Sequence, residues 1–325
     1  MATDWIEDPV LGPDWSVRSI ALGNDSEGPV DAALVRRSAG PRHSRAVLYL
    51  HGFVDYFFQE HQAQYFIGLG YDFYALDLRK YGRALHPGQT PNYITDLALY
   101  REEIDSAVDF IRVEEPHETV IMLGHSTGGL IASLWANGKS VGSPNIAGAA
   151  PRVDGVILNS PWFDLNEPWY MRTVGTCLIR GLARVAPRMQ VGSLGRFYGE
   201  ALHKDTGGEW DYDLALKPHE GFPVRAAWLA TIRAGHRKLN RGLQIDCPVL
   251  VLCSSASGDA KHPHPKLMST DSVLNVAHMK KAAPGLGPDV TLVEIPGGIH
   301  DLSLSPEPAR SQYFAAMGAW LDRRF

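Results

Sequence analysis

Six short runs of β-branched and aromatic residues recur along this chain, each bounded by Gly, Pro or Asp: Ala46 to Leu50, Tyr71 to Leu78, Thr119 to Leu123, Val153 to Ser160, Pro248 to Cys253 and Val290 to Ile295. Runs that are apolar at every position, and not only at alternate ones, belong to strands covered on both faces. That confines the chain to a mostly parallel sheet between helix layers. Helical period fills the gaps, most clearly in "ITDLALYREEIDSAVDFIRVEE" and again in the final "PARSQYFAAMGAWLDRRF". Two earlier segments, "WSVRSIAL" and "DAALVRRS", alternate apolar and polar residues and are expected to form an antiparallel pair at the sheet's edge. The alternating order predicts an open α/β sheet.

One stretch breaks the alternation. From about Pro161 to Gln244 no convincing strand is visible, yet the segment carries Trp162, Trp169, Tyr170, Phe197, Tyr198, Trp210, Tyr212, Phe222 and Trp228. We expect residues 161–244 to form a helical cap over the C-terminal strand ends, with residues 1–160 and 245–325 as the core. Its aromatics would be shared between a small core of their own and a pocket wall.

Composition narrows the partners. A chain of 325 residues with 45% apolar content can bury a large core, and a formal charge of -5 without a basic block argues against nucleic acid or an anionic membrane surface. Cys177, Cys247 and Cys253 show no C-x-x-C spacing, which fits reduced, packed thiols and a cytoplasmic setting. The acidic, proline-broken "MATDWIEDPVLGPDW" lacks the features of a secretory signal, and no run approaches the roughly 18 apolar residues of a membrane span.

The chemistry concentrates in "VIMLGHSTGGLIAS". Ser126 falls between an apolar strand and a helix start, in a G-x-S-x-G turn whose glycines, Gly124 and Gly128, permit the close backbone approach that exposes a hydroxyl. A serine hydroxyl needs a base and a group that orients the base. His125, next to Ser126, is pointed away by the turn. His300 in "IPGGIHDLSLS" follows the last strand and is the expected base, with Asp301 beside it shaping the loop. For the acid, Asp259 in "SSASGDAKHP" and Asp271 in "STDSVLNV" compete; the apolar residues after Asp271 suit a carboxylate held at the edge of the core, and Asp259 stays open. The oxyanion of an acyl-transfer intermediate would be held by the amides of Thr127 and of Phe53, the latter in "LYLHGFVDYF" after the third strand.

In this order and spacing, "LYLHGF", "LDLRKYGRA", "GHSTGG", "DSVL" and "GGIHD" resemble the α/β-hydrolase superfamily, in particular its monoacylglycerol lipase and lysophospholipase-like branch with serine aminopeptidase-type members. The resemblance runs from about Leu34 and is weakest in the cap. It implies a mostly parallel eight-stranded sheet with helices on both faces and a helical cap inserted after strand 6. It also implies a carboxylic ester hydrolase using Ser126, His300 and Asp271, with Phe53 and Thr127 as the oxyanion hole and neither metal nor organic cofactor. The expected partner is a small-molecule ester, and an apolar cap surface is compatible with a homodimer. The insertion "GDAKHPHPKLMST" departs from the family's pattern around the acid.

Pocket candidates are His51, Tyr56, Phe57, His125, Trp162 and Trp169. An aminopeptidase or amidase is the alternative enzyme, since "GEALHKDTGGEWDYD" carries acids that could hold a substrate amine; a ligand-binding sensor with little turnover is the alternative outside enzymes. "KHPHPK" reads as a solvated loop without a third metal ligand, and "DLRKYGR" as a structural turn bonded by Asp77.

Overall fold

The six apolar runs form one contiguous block of a single sheet, five of them inside it and Val290–Ile295 at its edge, where one neighbour and half its cover are missing. A computed structural model describes residues 4–137, 153–166, 171–259 and 262–325. In chain order its elements are β1 (Ile6–Asp8), β2 (Gly12–Asp25), β3 (Gly28–Arg37), β4 (Arg45–Leu50), α1 (Glu60–Gly68), β5 (Asp72–Asp77), α2 (Tyr100–Asp109), β6 (Thr119–His125), α3 (Thr127–Ala136) and β7 (Gly155–Asn159). There follow α4 (Thr176–Val185), β8 (Gln190–Gly192), α5 (Arg196–Leu202), β9 (Val224–Arg225), α6 (Ala226–Leu239), β10 (Val249–Ser254), α7 (Val276–Ala282), β11 (Val290–Ile295) and α8 (Ala309–Arg324).

The main sheet has nine strands in the order β1-β2-β3-β5-β4-β6-β7-β10-β11. β1, β2, β3 and β5 pair antiparallel in succession, and all pairs from β5 to β11 are parallel. The sheet is one strand larger than the eight expected. The extra strand, β1, lies in the segment the family resemblance leaves unmatched, and Arg83 anchors it by donating from Nε to Asp8 Oδ2 at 2.7 Å. The same guanidinium reaches Asp77 Oδ2 at 2.8 Å, so the basic "DLRKYGR" turn is a structural clamp.

Side chains along each central strand divide between two cores, as the pleat requires. In β4, Ala46, Leu48 and Leu50 face the layer of α2, α3, α6 and α7, with Ile104, Leu130, Trp228 and Met279. Val47 and Tyr49 face the layer of α1 and α8, with Phe66, Tyr313 and Trp320. Each fully buried Val, Leu or Ile side chain among them contributes about 2 kcal/mol.

Among the described residues between β7 and β10 the regular structure is mostly helical, but the segment is not strand-free as expected. β8 and β9 pair antiparallel in a small separate sheet. Strands of three and two residues are too short to carry a period-2 pattern. α6 packs Trp228, Ile232 and Leu239 into the main core. Cys247 and Cys253 are buried, and burial pushes their thiols up to about 12, which makes them inert. Among the described residues, no helix is long and apolar enough to cross a membrane.

Candidate active site

β6 ends at His125 and α3 begins at Thr127, so the direction change falls on Ser126 alone, with φ 53° and ψ -116°. That backbone is strained for a residue with a Cβ and persists only where the surroundings fix it. Here Ser126 N donates to Asn159 O at 2.9 Å, while Ser126 O accepts from Gly129 N at 3.0 Å and from Trp162 N at 2.9 Å. A Cβ on Gly128 would press on the carbonyl oxygens of Leu50 and His51, so only glycine lets α3 sit against the end of β4.

Ser126 Oγ donates to His300 Nε2 at 2.9 Å, and His300 Nδ1 donates to Asp271 Oδ2 at 3.1 Å. Ser126 and His300 are 174 residues apart in sequence. Asp271 Oδ1 accepts from the amides of Val273 at 3.0 Å and Leu274 at 2.7 Å, which fixes the carboxylate. After the insertion the chain is back at the end of β10: Asp271 bridges Ser257 just past that strand, with Asp271 N donating to Ala256 O at 2.9 Å. Asp259 stays on the exposed part of this loop, where its carboxylate meets His262 Nδ1 at 2.8 Å. His264 Nε2 accepts from Asp259 N at 3.1 Å, so both histidines of "KHPHPK" are held within the loop.

Asp301 lies under this constellation. Its Oδ1 accepts from Asn159 Nδ2 at 2.8 Å, Ser303 N at 3.0 Å and Ser303 Oγ at 2.7 Å; its Oδ2 accepts from Gln59 Nε2 at 3.2 Å. Burial by itself would raise this carboxyl, but His125, the Ser303 and Asn159 hydrogen bonds and the charge of Lys217 bring it to about 2. Asn159 thus ties the serine turn to the His300 loop. Its one sequence signal is a polar residue ending the apolar run "GVILN".

The other expected residues divide. The amides of Phe53 and Thr127 donate to no backbone acceptor among the described residues, and Thr127 opens α3, whose N-terminal dipole favours negative charge. Phe53 packs tilted against Trp228 at 4.0 Å between ring centroids, and Trp162 stacks on Trp228 at 5.8 Å, making an aromatic wall beside the serine turn. His51 is committed to structure: Leu78 N donates to its Nε2 at 3.0 Å, and its Nδ1 donates to Gly52 O at 2.8 Å. His125 is buried with Nδ1 donating to Asn159 O at 3.2 Å, and burial lowers its pKa. Tyr56 is also fully buried, with its hydroxyl accepting from Asp213 N at 2.8 Å. Phe57 does not line this site: it lies in the α1 and α8 core, edge-on to Trp15 at 5.2 Å. Trp169 falls outside the described residues.

Sequence reasoning did not single out Tyr198 of α5 as a site residue. Its hydroxyl accepts from Asp301 N at 2.9 Å and its ring lies 6.0 Å from that of His300. Asp55, His125 and Asp301 could offer one metal-ligand atom each within 4.8 Å of one another, but Lys217 Nζ already donates to Asp55 Oδ1 and the Asp301 carboxylate takes four donors. A cavity of about 270 Å³ lined by Arg36, Arg42, Asp72 and Tyr74 sits at the N-terminal ends of β4 and β5, the opposite end of the sheet from Ser126.

Comparison with known proteins agrees with this architecture. The family model described as serine aminopeptidase, S33 (Hydrolase_4) matches residues 41–307. A soluble variant of the monoglyceride lipase of Saccharomyces cerevisiae, in complex with a substrate analogue, superposes with TM-score 0.64 at 18% identity over 94% of each chain. The monoacylglycerol lipase of Paleococcus ferrophilus gives 0.59 at 18% identity, over 95% of this chain and 99% of that one. A thermostable carboxyl esterase from Bacillus coagulans, in complex with glycerol, gives 0.62 at 12% identity, over 95% of this chain and 98% of that one. With a nine-stranded, mostly parallel sheet that sets a strained serine before a helix, and a family match across most of its length, this chain belongs to the serine aminopeptidase S33 family of α/β-hydrolase enzymes.

Proposed function

We propose that the protein hydrolyses carboxylic esters of mid-sized apolar acyl groups through an acyl-enzyme on Ser126. The observation that carries this reading is the continuous hydrogen-bond chain from Ser126 Oγ through His300 to Asp271 Oδ2. His300 Nε2 accepts the hydroxyl proton as Oγ attacks the ester carbonyl, and Asp271 holds the imidazole in the tautomer that leaves Nε2 free. The amides of Phe53 and Thr127 receive the oxyanion. His300 then protonates the departing alkoxide, and water repeats the cycle to release the acid.

The contiguous rings of Phe53, Trp228 and Trp162 support an apolar acyl or aromatic group, and monoglyceride lipases and carboxyl esterases are among the structural relatives. Residues 161–244 act in this reading as the cap, with α6 as its seat on the core. Amine recognition is less favoured, because three of the five acids expected to serve it are paired: Glu200 with Arg196, Glu209 with Arg310 and Asp211 with Lys204.

The test is a p-nitrophenyl ester series from acetate to palmitate beside monoacylglycerols. We expect turnover with an optimum at intermediate chain length; aminoacyl amides cleaved in preference to every ester would overturn the reading. Within that assay, Asp271→Asn is expected to lower kcat by about 10⁴-fold. Asp259→Asn should leave it unchanged, and the reverse pattern would reassign the acid.

A further inference from the structure

Resting on the roles given above to Ser126 and Phe53, we propose that Lys217 is a positioning residue: its ammonium, bound to buried Asp55, braces the turn that aims the Phe53 amide at the oxyanion. The turn runs from Gly52 to Asp55 and contains Val54 at φ 52°. A β-branched side chain in left-handed backbone is strained, so neighbours must hold it there.

On one side the turn leans on the site itself. A Cβ on Gly52 would stand 3.1 Å from Ser126 Cβ, and the Phe53 ring lies 4.0 Å from that of Trp228. On the other side the holds come from the segment after α5, 162 residues away. Lys217 Nζ donates to Asp55 Oδ1, and Asp213 N donates to the Tyr56 hydroxyl at 2.8 Å. Lys217 N in turn donates to Asp213 O at 2.9 Å, so both holds belong to one tight turn.

Two features make the ion pair specific to position. Asp55 is buried and its second oxygen, Oδ2, has no partner among the described residues, so without Lys217 its side chain loses its donor two residues from Phe53. The ammonium is itself held between aromatic faces, 5.1 Å from the Phe58 centroid and 5.5 Å from that of Tyr212. The Asp55 and Asp301 carboxylates lie beside each other, with ligand atoms of both and of His125 within 4.8 Å of one another, so the one cation also helps to lower the Asp301 carboxyl.

The test uses the full chain with Lys217→Met, Lys217→Arg and the double variant Lys217→Met with Asp55→Asn, assayed on the best p-nitrophenyl ester and with a trifluoromethyl ketone of matching chain length. A misaimed oxyanion donor should lower kcat by roughly 30-fold with KM little changed, less than the loss of a whole donor. Affinity for the ketone, whose hemiketal oxygen occupies the same hole, should fall in proportion to kcat/KM. Lys217→Arg should recover most of the rate.

In the double variant the uncompensated buried charge is gone, so thermal stability should return toward wild type while kcat stays low. A double variant with wild-type kcat would mean that Lys217 only neutralises Asp55. A Lys217→Met protein with wild-type kcat and ketone affinity would overturn the inference outright. A wild type inert toward every ester removes the underlying reading, and this inference with it.

Discussion

Ser126→Ala lowers kcat for ester hydrolysis by about 10⁶-fold on this account, because nucleophile, base and acid act as one unit and removing one member removes nearly the whole effect. The residual rate is that of oriented binding at the Phe53 and Thr127 amides. The fold should survive: the turn is fixed by backbone bonds of residue 126 to Asn159, Gly129 and Trp162, none of which uses the hydroxyl. Circular dichroism and melting curves should therefore match the wild type while turnover of the ester series disappears. A variant that keeps a tenth of the activity would mean that Ser126 is a turn residue only.

Gly128→Ala is expected to cost about 3 kcal/mol of stability and most of the activity together. Its new methyl group meets the carbonyl oxygens of Leu50 and His51, which are backbone atoms at the end of β4 and cannot rotate aside. α3 must shift away from β4, and with it go Ser126 Oγ and the Thr127 amide. Gly181→Ala is the control, since a Cβ there meets nothing within 4 Å on helix α4 and should stabilise the chain by about 0.5 to 1 kcal/mol. Chemical denaturation of both variants, with activity measured in parallel, separates the effects. Equal stability for Gly128→Ala and wild type would contradict the close approach of α3 to β4.

What could be read from the sequence was what local pattern encodes. Strands buried on both faces appear as apolar runs, and five of the six runs, β4, β5, β6, β7 and β10, are of that kind. The sixth, Val290–Ile295, marks β11 to the residue, but β11 is an edge strand left half-buried with Glu294 exposed. The serine turn was legible because the glycine at 128 is required by contact with β4. Asp271 was favoured over Asp259 because apolar residues follow it, and Leu274 is indeed buried while donating its amide to Asp271. The insertion hid this because no sequence pattern tells that a loop returns to its starting strand.

Other features had no local signature. Consecutive aromatics at 56, 57 and 58 look alike in sequence, yet the loop, which bends at Phe57, sends Tyr56 and Phe58 to the cluster with Tyr212 and Phe57 to the opposite core. β1 depends on a buried Asp8–Arg83 pair, and the Asp55–Lys217 pair joins residues with no shared periodicity. Asn159 and Asp301 are polar residues at strand and loop ends, positions where polarity is ordinary. Their role emerges only when the sheet order puts β7 between β6 and β10.

The most direct measurement is peptide mapping by mass spectrometry after exposure of the native protein to a fluorophosphonate. The account predicts one phosphonyl adduct per chain, on the peptide containing Ser126, and its loss in His300→Ala. An adduct on a different residue, or a folded protein that takes up none, would contradict the assignment of Ser126 as nucleophile.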